Sequence, residues 1–101
     1  MFAVIYSFEV KPKQEEIFEK SWSELTKLIY KFEKGLGSRL HRQNELKYIA
    51  YAQWPDKNTW LNSGKNLPSE SKEIKKSMKD SCEKIETLFE LEVVKDLLIK
   101  V

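Results

Sequence analysis

The chain has 101 residues, 41% of them hydrophobic, so it can form one domain with its own core without metal ions or disulfides. Its 18 Lys and Arg residues and 16 Asp and Glu residues leave a formal net charge of +2, and the two signs are interleaved along the chain. This pattern does not indicate nucleic acid or a membrane as a partner, and the single cysteine excludes an intrachain disulfide.

The chain begins with a predicted strand and a predicted helix. Residues 2–10 are rich in aromatic and β-branched residues, which predicts a strand. Its larger apolar side chains share one face: Phe2, Val4, Tyr6, Phe8 and Val10. Over residues 14–34, apolar residues such as Phe18, Trp22 and Leu25 recur at spacings of three and four, which predicts an amphipathic helix.

A hairpin is predicted next. Residues 36–43 and 46–54 are two strand-like segments, and Asn44 between them favours a turn. The second strand is apolar on both faces. On one of these faces the small side chains of Ala50 and Ala52 leave space above the sheet, which either a cavity or a closely packed helix can occupy.

Two further helices are predicted after the hairpin. Asp56 is a suitable N-cap for a short helix over residues 57–63, which carries Trp60. A longer helix is predicted over residues 69–86, because this segment contains an apolar stripe. The stripe consists of Ile74, Met78, Cys82 and Ile85.

The last predicted strand covers residues 88–97, and an apolar tail follows: Leu98, Ile99 and Val101. The element order is therefore βαββαβ within one domain, residues 1–101. This order predicts an α+β, ferredoxin-like sandwich with the helices on one face of an antiparallel sheet. Two helices cover only one face, so the other face, which includes Ile5 and Val94, is predicted to pack against a second copy in a two-fold homodimer.

Two stretches carry a resemblance to a known family: Gly37-Ser38-Arg39-Leu40-His41-Arg42, and Tyr48-Ile49-Ala50-Tyr51-Ala52-Gln53-Trp54-Pro55-Asp56 followed by Trp60. With the opening strand, the long first helix and the closing strand, their order resembles the antibiotic biosynthesis monooxygenase (ABM) domain family over nearly the whole chain. The resemblance implies a dimeric α+β barrel, in which two four-stranded sheets face each other and each subunit keeps a pocket between its sheet and its helices. Members of the family include cofactor-free oxygenases of quinols and polycyclic phenols, haem-degrading enzymes and proteins of unknown role.

Haem degradation is not expected of this chain. Haem-degrading members of the family typically have an Asn in the first strand and a His on the helix that follows the short one. Here Tyr6 occupies the first position, and residues 69–86 contain no His.

His41 and Arg39 are the candidate charged residues of a site. His41 is the only histidine and therefore the candidate general base, because a phenol or quinol must lose a proton before its electron-rich anion reacts with oxygen. The other interpretation places His41 on a strand face that meets solvent or the dimer interface. Arg39 is a candidate for stabilising an anionic intermediate, although a surface or interface salt bridge is the commoner role of such a residue.

The candidate residues for substrate binding are aromatic. They are Tyr6, Tyr51, Trp54 and Trp60, together with Arg39. Aromatic residues at strand and helix spacings more often belong to the core, and both Trp54, next to Pro55, and Trp22 have this structural interpretation. Trp60 and Tyr6 are the better candidates for a pocket wall.

The leading hypothesis is a cofactor-independent monooxygenase acting on a small aromatic or quinol-type substrate, in a pocket near Tyr6, His41 and Trp60 between the sheet and the helices. The alternative is a non-catalytic dimeric module of the same fold that binds a small ligand or has a structural or stress role. No cofactor motif or metal-ligand spacing occurs, so neither a cofactor nor a metal is expected. No basic leader and no membrane-length apolar run occur either, which predicts cytoplasmic residence.

Overall fold

The computed structural model describes residues 1–99, so Val101 of the predicted tail lies outside the described residues. Within them the chain forms four strands and three helices, in this order: β1 (Phe2–Val10), α1 (Glu15–Phe32), β2 (Ser38–Asn44), β3 (Lys47–Trp54), α2 (Lys57–Leu61), α3 (Ser71–Asp80) and β4 (Cys82–Glu92). The strands form one antiparallel sheet with the order β2-β3-β1-β4. This confirms the predicted α+β, ferredoxin-like arrangement, with the short helix α2 inserted between β3 and α3.

The core lies between the sheet and helices α1 and α3. On the two central strands, Val4 and Phe8 of β1 and Tyr48 of β3 are buried under the helices. Phe18 of α1 is fully buried, and its ring centroid lies 5.0 Å from those of both Phe8 and Tyr48. Burial of a phenylalanine side chain stabilises a fold by roughly 1.5–3 kcal/mol, so this aromatic cluster fixes α1 on the sheet.

A capping side chain and a glycine determine where α2 and β2 begin. The Asp56 carboxylate accepts a hydrogen bond from the backbone N–H of Thr59 at 2.7 Å, so it caps the N-terminus of α2, as predicted. Gly37, between α1 and β2, has a φ of +97°, a conformation that residues with a Cβ adopt rarely. The start of β2 therefore depends on glycine at this position.

The C-terminal elements differ from the prediction. The structure ends α3 at Asp80 and begins β4 at Cys82, so the helix predicted over residues 69–86 is too long and the strand predicted over residues 88–97 begins and ends too late. Cys82 is buried at the first position of β4, opposite Val10, and does not lie on a helix.

Two β-bulges explain why β4 resembles a helical stripe in the sequence. Its pairing with β1 shifts register twice, which leaves Glu83 and Leu88 as extra residues on β4. An extra residue reverses the alternation of side chains between the two faces of a strand. Cys82 and Ile85 therefore face the helices although they are three positions apart, and this spacing continues the helical periodicity that ends at Met78.

The sheet face away from the helices has an apolar half and a polar half. Near β4 it carries Ile5, Phe89 and Leu91, and near β2 it carries Arg39 and His41. No helix within residues 1–99 has the length and apolar character needed to cross a membrane.

Candidate functional site

A cavity of about 220 Å³ lies between the sheet and helices α1 and α3, and we call it the inner cavity. Its floor includes Tyr6 of β1 and Ala50 and Ala52 of β3, and α1 contributes Trp22 and Ile29 to its wall. The two alanines end at Cβ, so neither fills the space between the strand and the helix above it. The sequence left open whether a cavity or a closely packed helix occupies the space above Ala50 and Ala52, and the structure has a cavity there.

Tyr6 lines the inner cavity, and Trp60 holds the Tyr6 hydroxyl in position. The indole Nε1–H of Trp60 donates to the Tyr6 hydroxyl oxygen at 2.8 Å, and the Trp60 ring lies 5.7 Å from that of Phe2. Because the Tyr6 oxygen accepts this bond, its own O–H remains to donate, and it has no acceptor within residues 1–99. The N-cap at Asp56 fixes the start of α2 and thereby the position of Trp60.

The Tyr6 phenol stays protonated at neutral pH. Burial raises the pKa of Tyr6 above its ordinary value of 10.0, and the charge of Glu90 acts in the same direction. The hydrogen bond from Trp60 lowers the pKa but is the smaller effect. The hydroxyl is therefore a hydrogen-bond donor and not a base.

The wall of the inner cavity is uncharged. Among the described residues that line it there is no Asp, Glu, His, Lys or Arg. Trp54 belongs to this wall and is buried, and its Nε1–H has no hydrogen-bond partner in the described part of the chain. Such a cavity suits a neutral, mainly apolar molecule that carries an oxygen atom able to accept a hydrogen bond.

His41, Arg39 and Tyr51 lie on the other face of the sheet. In the β2–β3 register, His41 is opposite Ile49 and Arg39 is opposite Tyr51, whereas Leu40 is opposite Ala50 and faces the helices. The structure therefore does not bring His41 together with Tyr6 and Trp60. It places His41 on an exposed strand face, which is the other interpretation left open by the sequence.

Arg39, His41 and Tyr51 line a second cavity of about 320 Å³, together with Gln53 and Leu98, and we call it the outer cavity. His41 Nδ1 lies 3.0 Å from the carbonyl oxygen of Ile49. Because a carbonyl oxygen only accepts, Nδ1 carries a proton, and Nε2 remains for another partner. The Tyr51 hydroxyl donates to Gln53 Oε1 at 3.3 Å.

Sequence reasoning missed several residues of the inner cavity and its surroundings. Trp22, interpreted as structural, lies on the cavity wall, and its spacing along α1 does not distinguish a wall residue from a core residue. Gly35, which also lines the cavity, sits so close to α1 that a Cβ there would lie 3.0 Å from Ile29 Cγ2. In the sequence, a glycine at this position indicates only that the helix ends there. It does not indicate that Gly35 packs closely against Ile29.

Glu33 is a buried carboxylate that the sequence did not single out. It follows α1 and accepts hydrogen bonds from the backbone N–H groups of Gly64 and Asn66, the latter at 2.7 Å. This fixes the loop between α2 and α3 against the end of α1. No pattern in the sequence indicates it, because the partners are backbone groups about thirty positions away.

Comparison with known proteins gives a family and a set of related folds. A variant of SnoaB, a cofactor-independent oxygenase from Streptomyces nogalater, superposes with a TM-score of 0.74 at 14% identity over 95% of both chains. The structure of an antibiotic biosynthesis monooxygenase gives a TM-score of 0.71 at 15% identity, over 94% of this chain and 100% of that chain. A conserved protein from Methanosarcina mazei Go1 gives 0.68 at 17% identity, over 86% of this chain and 89% of that chain.

These identities show a shared fold, and the family follows from the sequence itself. No curated protein matches the sequence significantly. The family model described as antibiotic biosynthesis monooxygenase matches residues 1–67, which include β1, α1, the β2–β3 hairpin and Trp60 of α2. The chain therefore belongs to the antibiotic biosynthesis monooxygenase family.

Proposed function

We propose that the chain is a cofactor-independent monooxygenase that binds a small aromatic or quinol-type molecule in the inner cavity. The observation that carries this proposal is Tyr6 on the wall of an uncharged cavity, with a hydroxyl that Trp60 fixes and whose O–H is free to donate. Family membership supports the type of reaction, since SnoaB is itself described as a cofactor-independent oxygenase.

The volume of the inner cavity limits the size of the ligand. A cavity of about 150 Å³ admits benzene. The inner cavity, at about 220 Å³, therefore suits a body of roughly two fused rings. Its hydroxyl or carbonyl oxygen would accept a hydrogen bond from the Tyr6 O–H.

The chemistry needs a substrate that ionises readily. In cofactor-free oxygenation, the substrate loses a proton, its anion reduces O₂, and one oxygen atom is incorporated while the other leaves as water. The Tyr6 O–H would stabilise the substrate oxyanion as a positioned donor. No described side chain on the cavity wall is a base at neutral pH, so the proton would pass to water.

That uncharged wall also favours a second candidate function, a non-catalytic module that binds a small aromatic ligand in the same cavity. Binding needs shape, apolar surface and a donor, and the inner cavity has all three. It does not need a base.

Oxygen consumption and ligand binding together distinguish the two functions. A panel of naphthoquinols and hydroquinones would be tested for O₂ uptake above autoxidation and for quenching of tryptophan fluorescence. For the monooxygenase we expect uptake that falls about tenfold or more in Tyr6→Phe, and Tyr51→Phe, which changes a tyrosine on the other sheet face, is the matched control. Binding without uptake would assign the non-catalytic function, and a lack of both would contradict both candidates.

We propose a homodimer as the assembly, with cytoplasmic residence. Phe89 and Leu91 are 57% and 45% exposed on the sheet face away from the helices, and Val94 beyond β4 is 84% exposed. Adjacent apolar side chains with this exposure favour association, and a second copy presents the same surface.

A further inference from the structure

Met78 is the sulfur-containing residue on the wall of the inner cavity. It belongs to α3, is half-buried, and lines the cavity together with Tyr6 and Ile85. Its side chain also packs against the core cluster that contains Phe8 and Phe18. Among the described residues that line the cavity, no other contains sulfur. An oxidant formed in the cavity therefore meets a single thioether side chain.

The other two sulfur-containing residues are less suited to react with such an oxidant. The chain has two methionines and one cysteine, and neither Met1 nor Cys82 lines the inner cavity. Burial raises the pKa of the Cys82 thiol, so little of the thiolate that peroxide attacks is present. A thioether needs no ionisation, so Met78 can react wherever peroxide reaches it.

The proposed homodimer does not close this site. Met78 and the inner cavity lie on the helix side of the sheet, whereas the exposed apolar residues Phe89 and Leu91 lie on the other side. A second copy that covers Phe89 and Leu91 therefore does not separate Met78 from the cavity.

We propose that Met78 is an oxidation site, at which hydrogen peroxide formed from a quinol ligand of the inner cavity converts the thioether to a sulfoxide and thereby weakens ligand binding. This rests on the proposed function and adds a means of regulating the same site. Dedicated reductases convert methionine sulfoxide back to methionine, so the regulation is reversible.

The oxygen chemistry of the proposed substrates supplies the oxidant. When a quinol reduces O₂ and the oxygen is not incorporated, two electrons and two protons pass to O₂, and the products are a quinone and hydrogen peroxide. One peroxide oxygen then bonds to the Met78 sulfur as the O–O bond breaks, and the other oxygen leaves as water. The sulfur is oxidised by two electrons, and the peroxide is reduced by two.

The sulfoxide makes the wall of the inner cavity polar at Met78, because oxidation converts an apolar side chain into a polar one. In the empty cavity, water can donate a hydrogen bond to the sulfoxide oxygen. A bound aromatic ring displaces this water, and a polar group that loses its hydrogen bond on burial carries a penalty. We expect this penalty to weaken binding by about tenfold or more.

The test treats the protein with hydrogen peroxide, locates the added oxygen by mass spectrometry of peptides, and measures the affinity for 2-naphthol by calorimetry. In the wild type we expect one added oxygen at Met78 and an affinity that falls about tenfold or more. Bound 2-naphthol should slow the oxidation of Met78 and not that of Met1. Met78→Leu, a change of similar volume, should keep its own starting affinity through the same treatment.

The source of the oxidant is tested with 1,4-naphthoquinol in place of added peroxide. An air-saturated solution should give the Met78 sulfoxide, and an oxygen-free solution should not.

The proposal would be overturned if Met78 stayed unmodified with peroxide or with naphthoquinol in air, or if the oxidised wild type bound 2-naphthol as tightly as before. An equal loss of affinity in Met78→Leu would also overturn it, because the damage would then lie elsewhere. If the untreated protein did not bind 2-naphthol at all, the inner-cavity site of the proposed function would fail, and this result comes before any oxidation. The two failures are therefore distinguishable.

Discussion

Tyr6 packs against two clusters of buried core residues, one that contains Phe8 and Phe18 and one that contains Val4 and Trp54. Because the pKa of Tyr6 is raised in the folded chain, we expect the free energy of unfolding to depend on pH in the alkaline range. Below the ordinary tyrosine pKa of 10.0 the phenol is protonated in both the folded and the unfolded chain, and its contribution to stability is fully present. Above that pH the unfolded chain loses the proton first, so the free energy of unfolding falls until pH passes the higher folded-state pKa.

The measurement is urea unfolding of wild type and Tyr6→Phe at several values between about pH 8 and pH 11. The difference in stability between the two proteins should shrink as pH rises through this range. A constant difference would show that the Tyr6 pKa is the same in both states.

Glu33 supports a second prediction about a single residue. Both of its oxygens accept backbone N–H groups, and glutamine would place an NH₂ group against one of these donors. Glu33→Gln should lower the free energy of unfolding by about 1–3 kcal/mol, because a buried donor loses its acceptor. Denaturant unfolding measures the loss, with the exposed Glu24→Gln on α1 as the control. Equal stability of the two variants would contradict the importance of this anchor.

Among the elements, β3 has one face that can be altered to close the inner cavity. Ala50→Leu adds a branched side chain to the cavity floor, and each newly buried methylene contributes about 0.8 kcal/mol. We expect ligand binding to weaken about tenfold or more while the free energy of unfolding stays equal or rises. Ile49→Leu, on the opposite face of the same strand, is the control and should bind normally. Undiminished binding by Ala50→Leu would place the ligand elsewhere.

The elements also show what the sequence could predict. A simple periodicity predicts β1, α1 and the two strands of the hairpin, and the cap residue Asp56 marks the start of α2. The predicted bounds of these elements agree with the structure to within a few residues. β4 does not, because Glu83 and Leu88 interrupt its alternation, and only pairing with β1 reveals a bulge.

The site was predicted less well than the fold, for a related reason. Tyr6 and Trp60 are neighbours, joined by a hydrogen bond across 54 positions of sequence. His41 and Leu40 differ by one position on an edge strand, and that one position decides which face of the sheet each occupies. Composition alone does not show whether Leu40 or His41 lies on the side of the sheet that the helices cover.

At the scale of the whole molecule, the exposed apolar half of the sheet leads to a prediction about assembly. Light scattering should give a dimer for the wild type. The double variant Phe89→Glu and Leu91→Glu should be monomeric, because it places charges where apolar surface would be buried. Leu61→Glu, which alters an exposed leucine at the end of α2, should remain dimeric. A monomeric wild type would contradict the proposed assembly.

The position of Cys82 has a consequence for experiments on the protein. The thiol is 7% exposed where β4 begins its pairing with β1, and burial raises its pKa, so little reactive thiolate is present in the closed fold. A thiol reagent in solution can modify the chain only when this end of β4 separates from β1, because the sequence contains no other cysteine. The rate of modification therefore measures how often the fold opens, and a molecule bound in the inner cavity should slow it without any change to the sequence.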